Sequence, residues 1–241
     1  MSFHAINRDH TGHVYRQIAK TLEGEIKQRY KIGDALPSEM ILAARFGVNR
    51  HTIRHAVDLL IEAGLVERRH GSGTFVLGMI DYAINAKTRF TEQLSASGMS
   101  TDTEILNHII APASAGVARR LNLRENEDVV FIETRRRADG LPFCLVSHFF
   151  SAKEFDEPLS HYTGGSLHSF LADRLNLKLR RTESLITSTL PQGDDAQLLS
   201  MPNNSPVLRV KSLNVSEATG QPVEYALTRF RADRVQLSVM V

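Results

Sequence analysis

"LVERRHGSGTFV", residues 65 to 76, sets two arginines and a histidine against a glycine-rich turn, with an apolar pair on either side. Three structures suit such a stretch: a phosphate-binding loop, an ordinary hairpin, or the wing of a DNA-binding domain. A phosphate loop needs its glycines between a strand and the N-terminus of a helix, where free N–H groups point at the anion. Here a second alternating segment follows the glycines, and "HGSGT" has neither the lysine nor the spacing of a P-loop. Leu65 to Arg69 and Thr74 to Leu77 are therefore expected to be two short strands around His70-Gly71-Ser72-Gly73.

What precedes the hairpin separates an ordinary one from a wing. Val14, Ile18, Leu22 and Ile26 recur every four residues, which predicts an amphipathic helix over 14 to 30, ending before Gly33. "ALPSEMILAARFGV" (35–48) predicts a short second helix with Ser38 as its cap and Gly47 as its stop. "VNRHTIRHAVDLLIEAGLV" (48–66) predicts a third, capped by Asn49, apolar on the face of Ile53, Val57, Leu60 and Ile61, and ended by Gly64. Two short helices joined by so tight a turn, followed at once by a hairpin, form a winged helix-turn-helix. In that fold the third helix enters the major groove and the wing reaches the flanking backbone, so both should carry donors. Arg50 and Arg54 lie one turn apart on the third helix, Arg68, Arg69 and His70 stand at the wing, and Asn49 and Thr52 add polar side chains. Gly71 and Gly73 let the wing backbone approach a sugar-phosphate closely. His51 and His55 have the i, i+4 spacing of a metal pair, but no glutamate accompanies them and arginines surround them, so no metal is expected.

The 241 residues, 42% of them hydrophobic, suffice for two domains with a core each. No apolar run approaches the roughly 18 residues that cross a bilayer, and the N-terminal stretch lacks a signal peptide's apolar core, so a cytoplasmic protein with no membrane partner is expected. The single cysteine, Cys144, between Phe143 and Leu145, reads as a small buried hydrophobe. A net charge of +2 decides nothing about partners; clustering does. Residues 78 to 93 carry no clean period and read as a connector, with a boundary near Met79. Beyond it, 128–150 and 205–230 each read as strand, turn, strand, with an Ala-x-Gly-x-Pro turn at 138–142 and again at 218–222. Helical candidates lie at 113–121, 165–175 and 194–200, and "RLNL" closes the first two. The echoes, at unequal separations, suggest an old duplication or a recurring local solution. The second half is expected to be α+β on an antiparallel sheet.

Residues 15–76 resemble the DNA-binding domain of the GntR superfamily of bacterial transcription regulators. "LPSE", "V-x-R-x-T-[IV]-R" and "R-x-G-x-G-T-F-V" all occur in order and at the family's spacing. The resemblance places Arg50, Thr52, Arg54, His70 and Gly71 on DNA-contacting positions; with Ser38, Asn49, Arg68 and Gly73 they make the expected DNA-reading set. Met40 departs from the family, which commonly has arginine after "LPSE". "RRRADGLPF" and "PVEYALTRFRADR" resemble the paired signatures of the HutC subfamily's effector domain, a chorismate-lyase-like α+β fold, over roughly residues 90 to 241. That resemblance implies a small anionic effector held by Arg89, Phe90 and Thr91 at a helix start, by Arg136 and by Ser166. It also implies contacts from His168, Glu224 and Phe230, with His168 and Phe230 standing where sugar-phosphate binders tend to have tyrosine. Strand alternation turns Arg135 and Arg137 away from Arg136. "TRF" with the triple arginine looks closest to PhnF-type regulators, associated with phosphonate utilisation.

The expected organisation is thus a winged helix over 10–78, a linker over 79–93, and an effector-binding and dimerisation domain over 94–241. The expected partners are a double-stranded DNA operator, a small anionic effector such as a phosphonate or phosphate ester, and a second copy of the chain, because one winged helix reads only a few base pairs. No cofactor is expected. An enzyme is not expected either, since the sequence shows no nucleophile elbow, Ser-His-Asp signature or metal cluster.

Overall fold

Apolar residues at helical spacing bring the first three helices together. The computed structural model describes residues 14–69, 71–85, 90–96 and 98–239, which fall into one unit up to Met79 and another from Ile80. In the first, α1 (Val14–Arg29) buries Ile18, Ala19, Leu22 and Ile26 against Leu42 and Ala43 of α2 (Glu39–Phe46) and Ile53, Ala56, Val57 and Leu60 of α3 (Arg50–Glu62). Truncating any of the large members would cost about 2–5 kcal/mol through lost transfer energy and the cavity left behind.

The caps expected from sequence are in place. Ser38 Oγ accepts the Ile41 N–H at 3.4 Å, and Asn49 Oδ1 accepts the Thr52 N–H at 2.8 Å. Gly47 ends α2 in the left-handed region, φ 65°, which makes the three-residue turn into α3 possible. The wing is an antiparallel pair, β1 (Val66–Arg69) and β2 (Gly73–Val76), with Arg69 opposite Gly73. The segment before α2 joins it: Leu36 N–H donates to Thr74 O at 2.8 Å and Val76 N–H to Asp34 O at 2.8 Å, so the wing's base is tied on its second edge.

The second unit is built on one antiparallel sheet. Its elements run β3 (Ile80–Ala83), α4 (Phe90–Ala96), β4 (Thr101–Pro112), α5 (Ala115–Leu121), β5 (Asp128–Ala138), β6 (Leu141–Ser151), α6 (Ala152–Ser160) and α7 (Leu167–Leu175). Then come β7 (Leu179–Thr189), α8 (Asp195–Leu198), β8 (Val207–Ser216), β9 (Pro222–Arg231) and β10 (Val235–Ser238). The six long strands pair in the order β4-β5-β6-β9-β8-β7. Alternation divides them between two faces. Val130, Ile132, Cys144, Val146, Phe150, Val210, Ala226 and Phe230 face α6, α7 and the small β3–β10 pair; Val129, Leu145 and Val207 face α5 and α8.

The sheet order explains the sequence echoes. Strand, helix, strand, strand occurs twice, as β4-α5-β5-β6 and β7-α8-β8-β9, the two sets meeting at β6 and β9, and each Ala-x-Gly-x-Pro turn closes the final hairpin of its set. "RLNL" is a different matter. In both places it ends a helix through an asparagine in the left-handed region, Asn122 (φ 55°) after α5 and Asn176 (φ 50°) after α7, helices that hold different places in the two sets.

The stretch read as a connector contains structure. Ile80–Ala83 pairs in parallel with Val235–Ser238, Ile80 opposite Val235, and buries Ile80 and Tyr82. Periodicity could not show this, because four residues carry too little alternation and their partner lies some 150 residues away. α6, β4 and β7 were likewise not apparent from periodicity, the two strands being edge strands without a clean inward face. No described helix is long and apolar enough to cross a membrane.

Candidate functional site

In the first unit, three elements converge on Glu39, the acidic residue of "LPSE". Arg50, at the start of α3, lies 3.8 Å from it, and Arg68, on the wing, 3.5 Å; Arg68 also pairs with Asp58 of α3 at 3.0 Å. These are surface pairs of low energy. Their effect is geometric, holding two guanidinium groups from different elements above one surface while Arg50 stays largely exposed. Arg54, one turn further along α3, is exposed beside them. Thr52 donates its hydroxyl to Asn49 Oδ1 at 2.9 Å, so Asn49 is occupied as a cap and offers only its amide N–H₂ outward. Gly71 (φ 72°) and Gly73 (φ 118°) hold turn conformations that only glycine adopts without strain.

Other residues stand apart from this cluster. Arg69 points inward, its guanidinium 3.9 Å from the centre of the Phe75 ring and its Nε bonded to Glu67 at 2.9 Å, so it packs the wing. Met40 is 66% exposed and gives α2 an apolar start where the family commonly has a cation. His51 and His55 face each other at 6.3 Å between ring centres, His55 also meeting Tyr15, and no group of three metal-ligating side chains occurs among the described residues. His70 and Arg89 lie outside the described residues.

In the second unit, a cavity of about 640 Å³, counting its mouth, opens on the sheet face shared with β3 and α7. Arg136, Ser166, His168, Glu224 and Phe230 all line it. Phe90 and Thr91 open α4; Thr91 is not among the cavity's described walls, and the side chain of Phe90 lies outside what is described. Arg136 on β5 is 9% exposed, its neighbours Arg135 and Arg137 turned to the other face, where Glu104 accepts from both, at 2.7 and 2.5 Å, and Asp102 from Arg137 at 2.8 Å. Ser166 caps α7; its Oγ accepts from the Ser169 N–H at 3.3 Å and the Ser169 hydroxyl at 3.0 Å, leaving its own proton for the cavity. Phe230 forms an aromatic wall, edge-on to Phe143 and tilted to Tyr82.

Glu224 is fully buried and its carboxylate is ringed by donors. His148 Nδ1 contacts Oε1, while His168 Nε2 and Asn214 Nδ2 reach Oε2, each at 2.6 Å. Burial alone would raise its pKa, but the attraction of His168 and the hydrogen bonds from both histidines outweigh it and hold the carboxyl well below its usual range. For His148 burial wins over the Glu224 bond, and Arg136 adds to it, so the imidazole is pushed below its ordinary value.

Both shifts favour stability at higher pH. The unfolded chain takes up the His148 proton first, so stability falls below about pH 6.5; the Glu224 contribution is lost as pH falls further, from the ordinary carboxylate value through the depressed one. The melting transition of this unit is therefore expected to move down between pH 7.5 and pH 5. An unmoved transition would contradict a neutral His148.

Sequence reasoning missed Tyr82, Cys144, His148, Arg181, Asn214, Ser212 and Thr228, all of which line the cavity. Arg181 brings a second guanidinium, hydrogen-bonded to the Tyr82 hydroxyl. Cys144 is buried and its thiol is pushed up to about 12, chiefly by burial, so it is an inert wall.

A helix-turn-helix with a wing, followed by an α+β unit enclosing a cation-lined cavity, is the arrangement of a ligand-sensing transcription regulator. The chain belongs to the gntR family of bacterial regulatory proteins: residues 14–76 match the model of that family and residues 96–236 match the UTRA domain. It is similar to the probable transcriptional regulator PhnF of Escherichia coli strain K12, at 40% identity over 93% of this chain and 94% of the relative. It is similar also to the mannosyl-D-glycerate transport/metabolism system repressor MngR of the same strain, at 28% identity over 94% of this chain and 95% of that one. The fold matches the crystal structure of PhnF from Mycobacterium smegmatis with a TM-score of 0.65 over 93% of this chain and 98% of that one, at 23% identity. The protein is a transcriptional regulator with a UTRA effector-binding domain, and its relatives are regulators rather than enzymes.

Proposed function

We propose that the chain binds a two-fold DNA operator as a homodimer, represses from it, and is released by a small anionic effector, a phosphonate or phosphate ester. The observation that carries the effector half is the burial of Arg136 in the wall of the cavity, joined there by Arg181 and the Ser166 hydroxyl. A guanidinium held in low dielectric favours a tetrahedral oxyanion, which it can grip bidentately. The repressor sign follows MngR, whose name describes a repressor. The operator half rests on Arg50, Arg54 and Arg68, with Thr52, Gly71 and Gly73 close by, and the dimer on the few base pairs one winged helix reads. A ligand that binds better to one arrangement of the dimer than another shifts operator affinity by that difference.

The experiment is operator affinity by fluorescence anisotropy at fixed salt, on DNA selected from a random pool, with phosphonates, phosphate and sugar phosphates added in turn. At least one anion is expected to weaken binding about tenfold or more, a coupling within the usual allosteric range. Specific binding indifferent to every anion would contradict the effector reading and leave a DNA-binding dimer. Arg54→Ala is expected to weaken specific binding roughly 5- to 150-fold, the worth of one bidentate base contact. A full-strength footprint from that variant would place the base-reading surface elsewhere.

A further inference from the structure

His148, in the cavity wall, carries a buried polar atom that a fully ionised anionic group, an acceptor only, cannot satisfy. His148 is 3% exposed, its Nδ1 is engaged with Glu224, and its Nε2 is buried with no hydrogen-bond partner among the described residues. The direction of the Nδ1 contact is fixed by what surrounds the carboxylate. Glu224 is an acceptor, already receiving N–H groups from His168 and Asn214, so the proton on the His148 side sits on Nδ1 and is donated. In a neutral imidazole the other nitrogen is then a bare lone pair, and the depressed His148 pKa and the charge of Arg136 both keep it so. Buried lone pairs are normally met by a partner. Around the same cavity Arg136 and Arg181 only donate, and the Asn214 amide group is turned to Glu224.

We propose that the effector carries, apart from its anionic group, a hydrogen-bond donor, a hydroxyl or an amine, which His148 Nε2 accepts. Glu224, His168 and Asn214 are positioning residues: they fix the tautomer and plane of the His148 ring, and the carboxylate itself is fully buried and already met by three donors. This rests on the reading of Arg136 as the anion site and adds the second recognition point, restricting the effector to hydroxyalkyl or aminoalkyl phosphonates and phosphate esters over their plain alkyl counterparts.

The test is calorimetric titration of the full chain with ethylphosphonate and propylphosphonate and with the 2- and 3-substituted hydroxy and amino compounds. The wild type is expected to bind at least one donor-bearing compound tenfold or more tighter than its plain alkyl counterpart, since a site built to accept a hydrogen bond discriminates against a ligand that lacks the donor. His148→Phe, which keeps a ring and removes the lone pair, is expected to abolish that preference while still binding propylphosphonate. Because this variant also takes a donor from Glu224, a mutation-free readout accompanies it: in protein labelled with ¹⁵N at histidine, the His148 Nε2 resonance should move upfield with the hydroxy or amino ligand and stay in place with propylphosphonate. Equal affinity for plain and donor-bearing compounds, or an unmoved Nε2 resonance with a bound donor ligand, would overturn the inference and leave the anion site standing. Failure of the wild type to bind any compound of the series would overturn the anion site and this inference with it.

Discussion

Glu224→Leu is expected to destabilise the effector domain by about 3–5 kcal/mol, the cost of breaking a buried charged cluster from one side. Glutamate and leucine are close in volume, so the loss is not one of packing. It comes from the groups left behind: His148, His168 and Asn214 each aim a nitrogen at the carboxylate, and all three would keep those donors in a cavity wall with nothing to receive them. For a unit of this size the expected fall in melting temperature is roughly 6–20 °C. Glu224→Gln separates charge from hydrogen bonding: its carbonyl oxygen can still accept, while its amide N–H₂ would meet donors, so a smaller fall is expected. Calorimetric melting of the full chain, with the first unit's transition as an internal reference, reads both. A Glu224→Leu protein that melts with the wild type would show that the cluster contributes nothing net.

Arg136→Met is expected to leave operator binding intact and lower effector affinity by about 2–4 kcal/mol, or roughly 30- to 1,000-fold, the range found when one partner of a buried charge-assisted pair is removed. Methionine fills much of the space of the arginine stem without its charge, so the aromatic and aliphatic walls around it stay supported. The contrast with Arg135→Met is informative. Arg135 is the adjacent residue but faces Glu104 on the opposite side of the sheet, so its loss should leave the ligand response unchanged. Anisotropy with and without the effector identified in solution measures both variants. An Arg136→Met protein that responds at unchanged ligand concentration would move the anion to another part of the cavity.

The first unit was legible because nearly everything that builds it is local. α1 announces itself by Ile18, Leu22 and Ile26; α2 and α3 by Ser38, Gly47 and Asn49; the wing by its glycines. What the sequence concealed there is who pairs with whom: that Glu39 gathers Arg50 and Arg68, and that Arg69 turns inward onto Phe75. In the second unit, strand alternation correctly separated Arg136 from its two neighbours, and the family resemblance named Arg136, Ser166, His168, Glu224 and Phe230, which the cavity does bring together. Tyr82, His148, Arg181 and Asn214 were invisible for a common reason. They reach the cavity from strands far apart in sequence: the meeting of His148, Arg181 and Asn214 depends on the order β4-β5-β6-β9-β8-β7 and that of Tyr82 on the β3–β10 pair, neither of which any periodicity records.

The twofold recurrence of strand, helix, strand, strand has a mechanical corollary. The two sets are joined within the sheet by the β6–β9 ladder alone, which runs from Cys144 to Phe149 and has fewer residue pairs than any other ladder of the sheet. The cavity lies across that seam: Arg136 and His148 belong to one set, Arg181, Asn214 and Glu224 to the other. The seam is thus both the narrowest join in the sheet and the place where the cavity's polar groups are assembled, so whatever occupies the cavity acts as a rivet between two half-sheets.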